Sequence, residues 1–153
     1  MSLDYPTRTE AIEKPWGRWT PRAIKLLTTA KAIAGPGDQI EPKHLLLAFE
    51  SVELGTGENP ASQTLAHLGI RPSVALGSPA PQSCPPNRYI SPSEFGPALS
   101  PLFPALVVEQ AEAMGDDYVG VEHLLLFLAR AGVPGVDLPY ERIRDTIVEL
   151  RRS

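Results

Sequence analysis

Apolar residues recur at helical spacing in six stretches of this chain, and most of those stretches carry their own start and stop signals. "TPRAIKLLTTAKAIAG" (20–35) has Thr20 placed to cap and Pro21 at the first helical position. Its apolar positions are Ala23, Leu27, Ala30 and Ala34 with Ile24 alongside, and Gly35 ends it. A short, strongly apolar helix is predicted from near Pro42 through "HLLLAFESV", and a third from "ENPASQTLAHLG", with Asn59 as cap, Pro60 first and Gly69 as terminator. The same grammar restarts at "SPLFPALVVEQAEAMG" (100–115), with the stripe Phe103, Leu106, Val107 and Met114. "VEHLLLFLARAG" (121–132) follows, and "DLPYERIRDTIVELRRS" closes the chain with Tyr140, Ile143, Ile147 and Leu150 on one face and Asp137 as its cap. Every predicted element is helical, so the fold class is all-α.

The polar, aperiodic stretches fix the rest of the organisation. Residues 1–19 read as an arm whose large anchors are Trp16 and Trp19, packing their indoles on the body. Eight of the 17 prolines fall between Pro72 and Pro101, which predicts a linker over 77–99, stiffened into extended conformations with at most one weak helical turn nearby. Two units remain, 20–76 and 100–153, forming one compact domain. Aligning Gly35 with Gly115 and His44 with His123 makes them copies offset by about 80 residues. From the histidine to the next glycine-aliphatic turn there are 25 residues in the first unit, to Gly69, and 12 in the second, to Gly135. The second unit therefore has no room for a counterpart of the Asn59–Leu68 helix and is expected to lack about one helix.

Charge and composition remove function classes. A net charge of −4 provides no basic face for a nucleic-acid backbone. No run approaches the roughly 18–20 apolar residues that cross a bilayer, and no apolar segment follows a basic start, so the expectation is a soluble, cytoplasmic protein. Cys84 is the single cysteine and sits in the Pro/Ser-rich stretch, which excludes an internal disulfide and a cysteine metal cluster.

The duplicated pattern resembles the Clp N-terminal domain family. The resemblance is carried by "TPRA" (20–23), "KHLLLAF" (43–49), "LAHLGI" (65–70) and "YVGVEHLLLFL" (118–128), and spans roughly residues 18–151. It implies a pseudo-twofold pair of helical repeats that recruits substrates and adaptors to hexameric unfoldases. The partners it implies are a Clp ATPase, its adaptors or its protein substrates, arginine-phosphorylated ones included, and for some members a cyclic-peptide antibiotic. The chain contains no Gly-x-x-x-x-Gly-Lys-Ser/Thr phosphate loop and has no length left for an ATPase module, so the expectation is a stand-alone, non-catalytic recruitment module without a cofactor.

Within that frame the residue before each histidine is informative. Glu122, at a helix start, reads as a capping carboxylate stabilised by about 0.3–1 kcal/mol. The resemblance implies a second role, pairing with the guanidinium of a phosphoarginine while helix N-H groups and hydroxyls take the phosphate. Ser100, at the cap of the second unit's first helix, joins Glu122 in one candidate site. Thr20 and Arg22 stand at the matching helix start of the first unit, but Lys43 replaces the carboxylate there. Lysine repels a guanidinium and forfeits about 1.5–3 kcal/mol, so this half is predicted not to take phosphoarginine. Pro104 predicts an irregular start for its helix. His44 and His123 lack the companion ligands zinc needs and are read as structural, bonded to loop carbonyls. No nucleophile, base and orienting group cluster, which argues against catalysis. Two competing readings are a helical DNA-binding regulator, suggested by the locally basic "RIRDTIVELRRS" but opposed by the acidic total, and a degenerate dimerisation scaffold.

Overall fold

The computed structural model describes residues 19–51, 59–79, 81, 85–86, 88, 90–99 and 103–152. Seven α-helices run through them: α1 Pro21–Ala34, α2 Pro42–Ala48, α3 Pro60–His67, α4 Pro72–Leu76, α5 Phe103–Ala113, α6 Val121–Ala131 and α7 Tyr140–Arg152, with a 3-10 turn at Pro92–Glu94. No strand longer than an isolated bridge occurs among these residues. The start signals act as read: the Thr20 hydroxyl accepts from the Ala23 N-H at 3.1 Å and the Asn59 side-chain oxygen Oδ1 from the Ser62 N-H at 2.8 Å. Gly69 (φ 73°) and Gly115 (φ 76°) take the left-handed conformation that lets the following residue bond back five positions, Ile70 N-H to Leu65 O and Asp116 N-H to Ala111 O.

Four details differ from the sequence reading. α7 begins at Tyr140, and the carbonyl that receives its first bond, from Ile143 N-H at 2.9 Å, belongs to Pro139, so Asp137 lies outside the cap. Proline at that position cannot extend the helix backwards, because its ring restricts the residue before it. The buried stripe of α1 is Ala23, Leu26, Leu27, Thr28, Thr29 and Ala30, while Ala34 is only half-buried. Pro104 sits buried in the first turn of α5, where a missing N-H leaves no helical bond unmade. The stretch read as a linker contributes Ile90, Phe95 and Leu99 to the core and is tied down along its length. Lys25 donates to the Pro85 carbonyl, Arg88 makes a two-pronged bond to Glu94, and the Ser91 N-H caps the same carboxylate.

The two predicted units interleave. α1 packs on α2 and α6, α2 also on α4 and α6, and α3 packs against α6 and α7. Leu45, Leu46, Leu124, Leu125 and Leu126 are wholly buried, with Leu47 nearly so. Residues 132–139 hold only a tight turn closed by a Val133–Val136 bridge, so α6 leads straight into α7 without a helix between them. Two parallel bridges tie the ends of the helical pairs together, Trp19 with Val119 and Ile40 with Phe95.

Candidate functional site

The two His-Leu-Leu-Leu helices start with the same bonds. His44 Nδ1 accepts from the Glu41 N-H at 2.9 Å, and His123 Nδ1 accepts from the Gly120 N-H at 2.8 Å. In each case the histidine and following leucine N-H groups donate to the carbonyl of that same cap residue. Histidine thus fills the position where a glutamate or glutamine ordinarily reaches back to the cap N-H. The bond expected to a loop carbonyl is instead a bond from a loop N-H, which makes Nδ1 an acceptor and places the proton of the neutral ring on Nε2. For His123 that Nε2 faces Asp116 Oδ2 at 2.6 Å; among the described residues no carboxylate bonds to His44 Nε2.

Burial, the largest influence, lowers both histidines below their ordinary 6.5, against the opposing pull of Asp116 and Glu122 on His123 and of Glu41 on His44. A group whose folded pKa is depressed binds fewer protons folded than unfolded, so stability rises with pH across the window below 6.5. The urea midpoint is therefore expected to hold between pH 8 and 7 and to fall from pH 6.5 to 5.5. The dependence flattens in a His44→Gln/His123→Gln variant, whose side chains reach the same N-H without titrating. An unchanged midpoint over that window would show that the rings are not held as acceptors.

A cleft of about 510 Å³ opens between the halves, lined by Thr20, Pro21, Arg22 and Lys25 of α1, Asn59 and Pro60 of α3, and Tyr118, Gly120, Val121 and Glu122 at the start of α6. Three helix N-termini face it. Among the described residues no acceptor takes the N-H groups of Arg22, Val121 or Glu122, and the exposed Arg22 guanidinium makes no ion pair. Such N-H groups and the positive helix ends favour an anion. The Thr20 hydroxyl is engaged with its own helix, and no cluster of three histidine, cysteine or acidic side chains suited to a metal is present among the described residues.

Glu122 is 5% exposed and already paired. Its Oε2 receives Arg151 Nη2 at 2.8 Å and the Tyr118 hydroxyl at 3.2 Å. The same Nη2 lies 2.8 Å from Asp116 Oδ2 and 2.8 Å from the Tyr118 hydroxyl oxygen. Burial with the Glu122 charge beside it pushes the Tyr118 hydroxyl up to about 12, so it remains a donor. Burial alone would lower Arg151, but the bonds to Glu122 and Asp116 outweigh it and raise its pKa. Gly120 leaves room for this network: a Cβ there would meet Glu122 Oε1 and push the carboxylate aside.

The pairing of site residues differs from the expected one. Thr20 and Arg22 share a cleft with Glu122, from the opposite half. Lys43 lines a second cleft of about 410 Å³ with Gln39, Glu41, His44 and Gly96–Ala98, and is 55% exposed at 3.9 Å from Glu41. Ser100 lies outside the described residues. The backbone gives Thr20 a different counterpart: Thr20 N-H donates to Val119 O at 2.9 Å, and the matching bond runs from Gly96 N-H to Ile40 O at 2.8 Å. Both residues follow a bridged aromatic and precede a proline, Trp19-Thr20-Pro21 and Phe95-Gly96-Pro97. That aromatic-x-proline pattern is the signal in the sequence for this correspondence. Asp116, Tyr118 and Arg151 were missed for a different reason, since Arg151 lies 29 residues from Glu122 and only chain packing joins them.

No family model matches the chain, and no curated protein matches it in sequence. Among solved structures it is similar to the N-terminal domain of the caseinolytic protease associated chaperone ClpD from Arabidopsis thaliana, with a TM-score of 0.44 and 18% identity, over 89% of this chain and 96% of that one. No helix among the described residues is long and apolar enough to cross a membrane.

Proposed function

We propose that this chain is a non-catalytic protein-binding module of the Clp recruitment type, acting in trans as an adaptor, decoy or regulator of a Clp unfoldase. Its binding site is the Thr20–Glu122 cleft, and its ligand is an anionic group on a partner or substrate protein. The observation that carries this reading is the convergence on one cleft between the halves of three helix starts and of Arg22, which makes no ion pair among the described residues. The motifs that resemble the Clp N-terminal family, set on two alike helix starts, supply the link to Clp. The second cleft, with Lys43 and Glu41 at its edge and glycine in place of Thr20, has neither a hydroxyl nor an arginine among the described residues that line it, so one working site per chain is expected. A helical DNA-binding role loses support because Arg151, part of the basic C-terminal run, is turned onto Asp116 and Glu122.

Calorimetric titration with inorganic phosphate and with phosphoarginine tests the site. Saturable binding to the wild type is expected, weakened by about tenfold or more in Arg22→Glu, an exposed position where charge reversal leaves the core intact. Absence of binding by either probe removes the anion-cleft reading. Capture on the immobilised chain from cell extract, scored for a Clp ATPase, tests the proposed partner.

A further inference from the structure

Glu122, which lines this cleft, is held in an ion pair that the chain makes with itself. Arg151 reaches it from the last turn of α7, is 24% exposed, and through one nitrogen contacts Glu122, Asp116 and the Tyr118 hydroxyl, each at 2.8 Å. Its guanidinium carbon lies 6.0 Å from the centre of the Tyr118 ring. His123 Nε2 meets the same Asp116 oxygen, Oδ2, that Arg151 contacts. Glu122 is the only acidic side chain lining this cleft among the described residues, and Oε2 is the atom both Tyr118 and Arg151 use. The cleft is also lined by Arg22, whose guanidinium makes no ion pair among the described residues, so the charge it offers a ligand is positive.

We infer that Arg151 is the specificity-determining residue of this cleft: it occupies with the chain's own guanidinium the carboxylate that a cationic ligand group would need, and restricts the site to anions that carry no such group. The inference rests on the cleft reading above. A ligand guanidinium must displace or share a partner that is tethered, and a tethered group competes at an effective concentration of about millimolar or more. It must also approach past Arg22. A simple phosphate needs none of this, because it uses the helix-start N-H groups and Arg22.

Titrations with inorganic phosphate, phosphoarginine and ethylguanidinium decide it. For the wild type, phosphate and phosphoarginine are expected to bind within about threefold of each other, and ethylguanidinium not to bind. In Arg151→Met, Glu122 loses its partner, and phosphoarginine should gain about tenfold or more over phosphate. In Glu122→Gln no such preference should emerge, since the carboxylate itself is gone. A wild type that already prefers phosphoarginine by tenfold, or an Arg151→Met chain with unchanged preference, overturns the inference while leaving the anion cleft in place. Failure of the wild type to bind phosphate overturns the cleft reading and the inference with it. If Arg151→Met does not fold, the Arg151 side-chain N-H resonances of the wild type serve instead: unmoved by excess ethylguanidinium they support the inference, and shifted as on release from Glu122 they overturn it.

Discussion

Replacing Phe103 with alanine is expected to lower the stability of this chain by about 3–5 kcal/mol. Phe103 opens α5, is completely buried, and joins aromatic rings from separate parts of the chain. Its ring centre lies 4.6 Å from Phe95, 5.1 Å from Phe127 in an edge-on arrangement, and 6.4 Å from Trp19. These neighbours belong to the segments leading into α1 and α5 and to the middle of α6, so no local rearrangement can close the cavity from all sides. Edge-on and tilted ring pairs add about 0.5–1.5 kcal/mol beyond area burial. Leu106, one turn further along the same helix but 39% exposed, is the matched control. Leu106→Ala should change stability by about 0.5 kcal/mol or less. Equilibrium urea unfolding of both variants checks the pair, and a Phe103→Ala loss under about 1.5 kcal/mol would mean the aromatic cluster does not hold the halves together.

The second large effect separates two residues that the sequence presents as equivalent. His123→Ala is expected to destabilise the chain by about 3 kcal/mol and His44→Ala by about 1 kcal/mol. Both rings accept the cap N-H of their helix, so that shared bond does not account for the difference. His123 is fully buried, packs at 5.3 Å against the Tyr118 ring, and also engages Asp116 at 2.6 Å. Its removal leaves a cavity and strips Asp116 of a donor beside Glu122, within the network that Arg151 holds. His44 is half-buried at the edge of the second cleft, and water can replace it. Equal losses in the two variants would show that the cap bond, and not the carboxylate network, sets the energetics.

That contrast also explains why the sequence was informative up to a definite point. Thr20-Pro21, Asn59-Pro60, Gly69 and Gly115 mark helix ends because hydroxyl and amide caps, proline at a first turn and glycine at positive φ are requirements of the local backbone. The leucines after each histidine fall inside because a helix this apolar must be buried. Those facts determine an all-helical chain, its element order and the likeness of its two histidine helices, and they are readable without coordinates since each depends on residues at most a few positions apart.

Tertiary structure alone decided which helix start faces which. Thr20 and Arg22 meet Glu122 across the halves because the Trp19–Val119 and Ile40–Phe95 bridges cross-link each half to the other, and spacing along the chain does not encode such pairing. The same packing brings Ile90, Phe95 and Leu99 of a proline-rich stretch into the core, through contacts with residues far away in sequence. It also brought Arg151 onto Glu122. A carboxylate at a helix start can cap, bind a ligand or pair internally with equal local propriety, and the choice among these belongs to whichever charge the folded chain delivers to it.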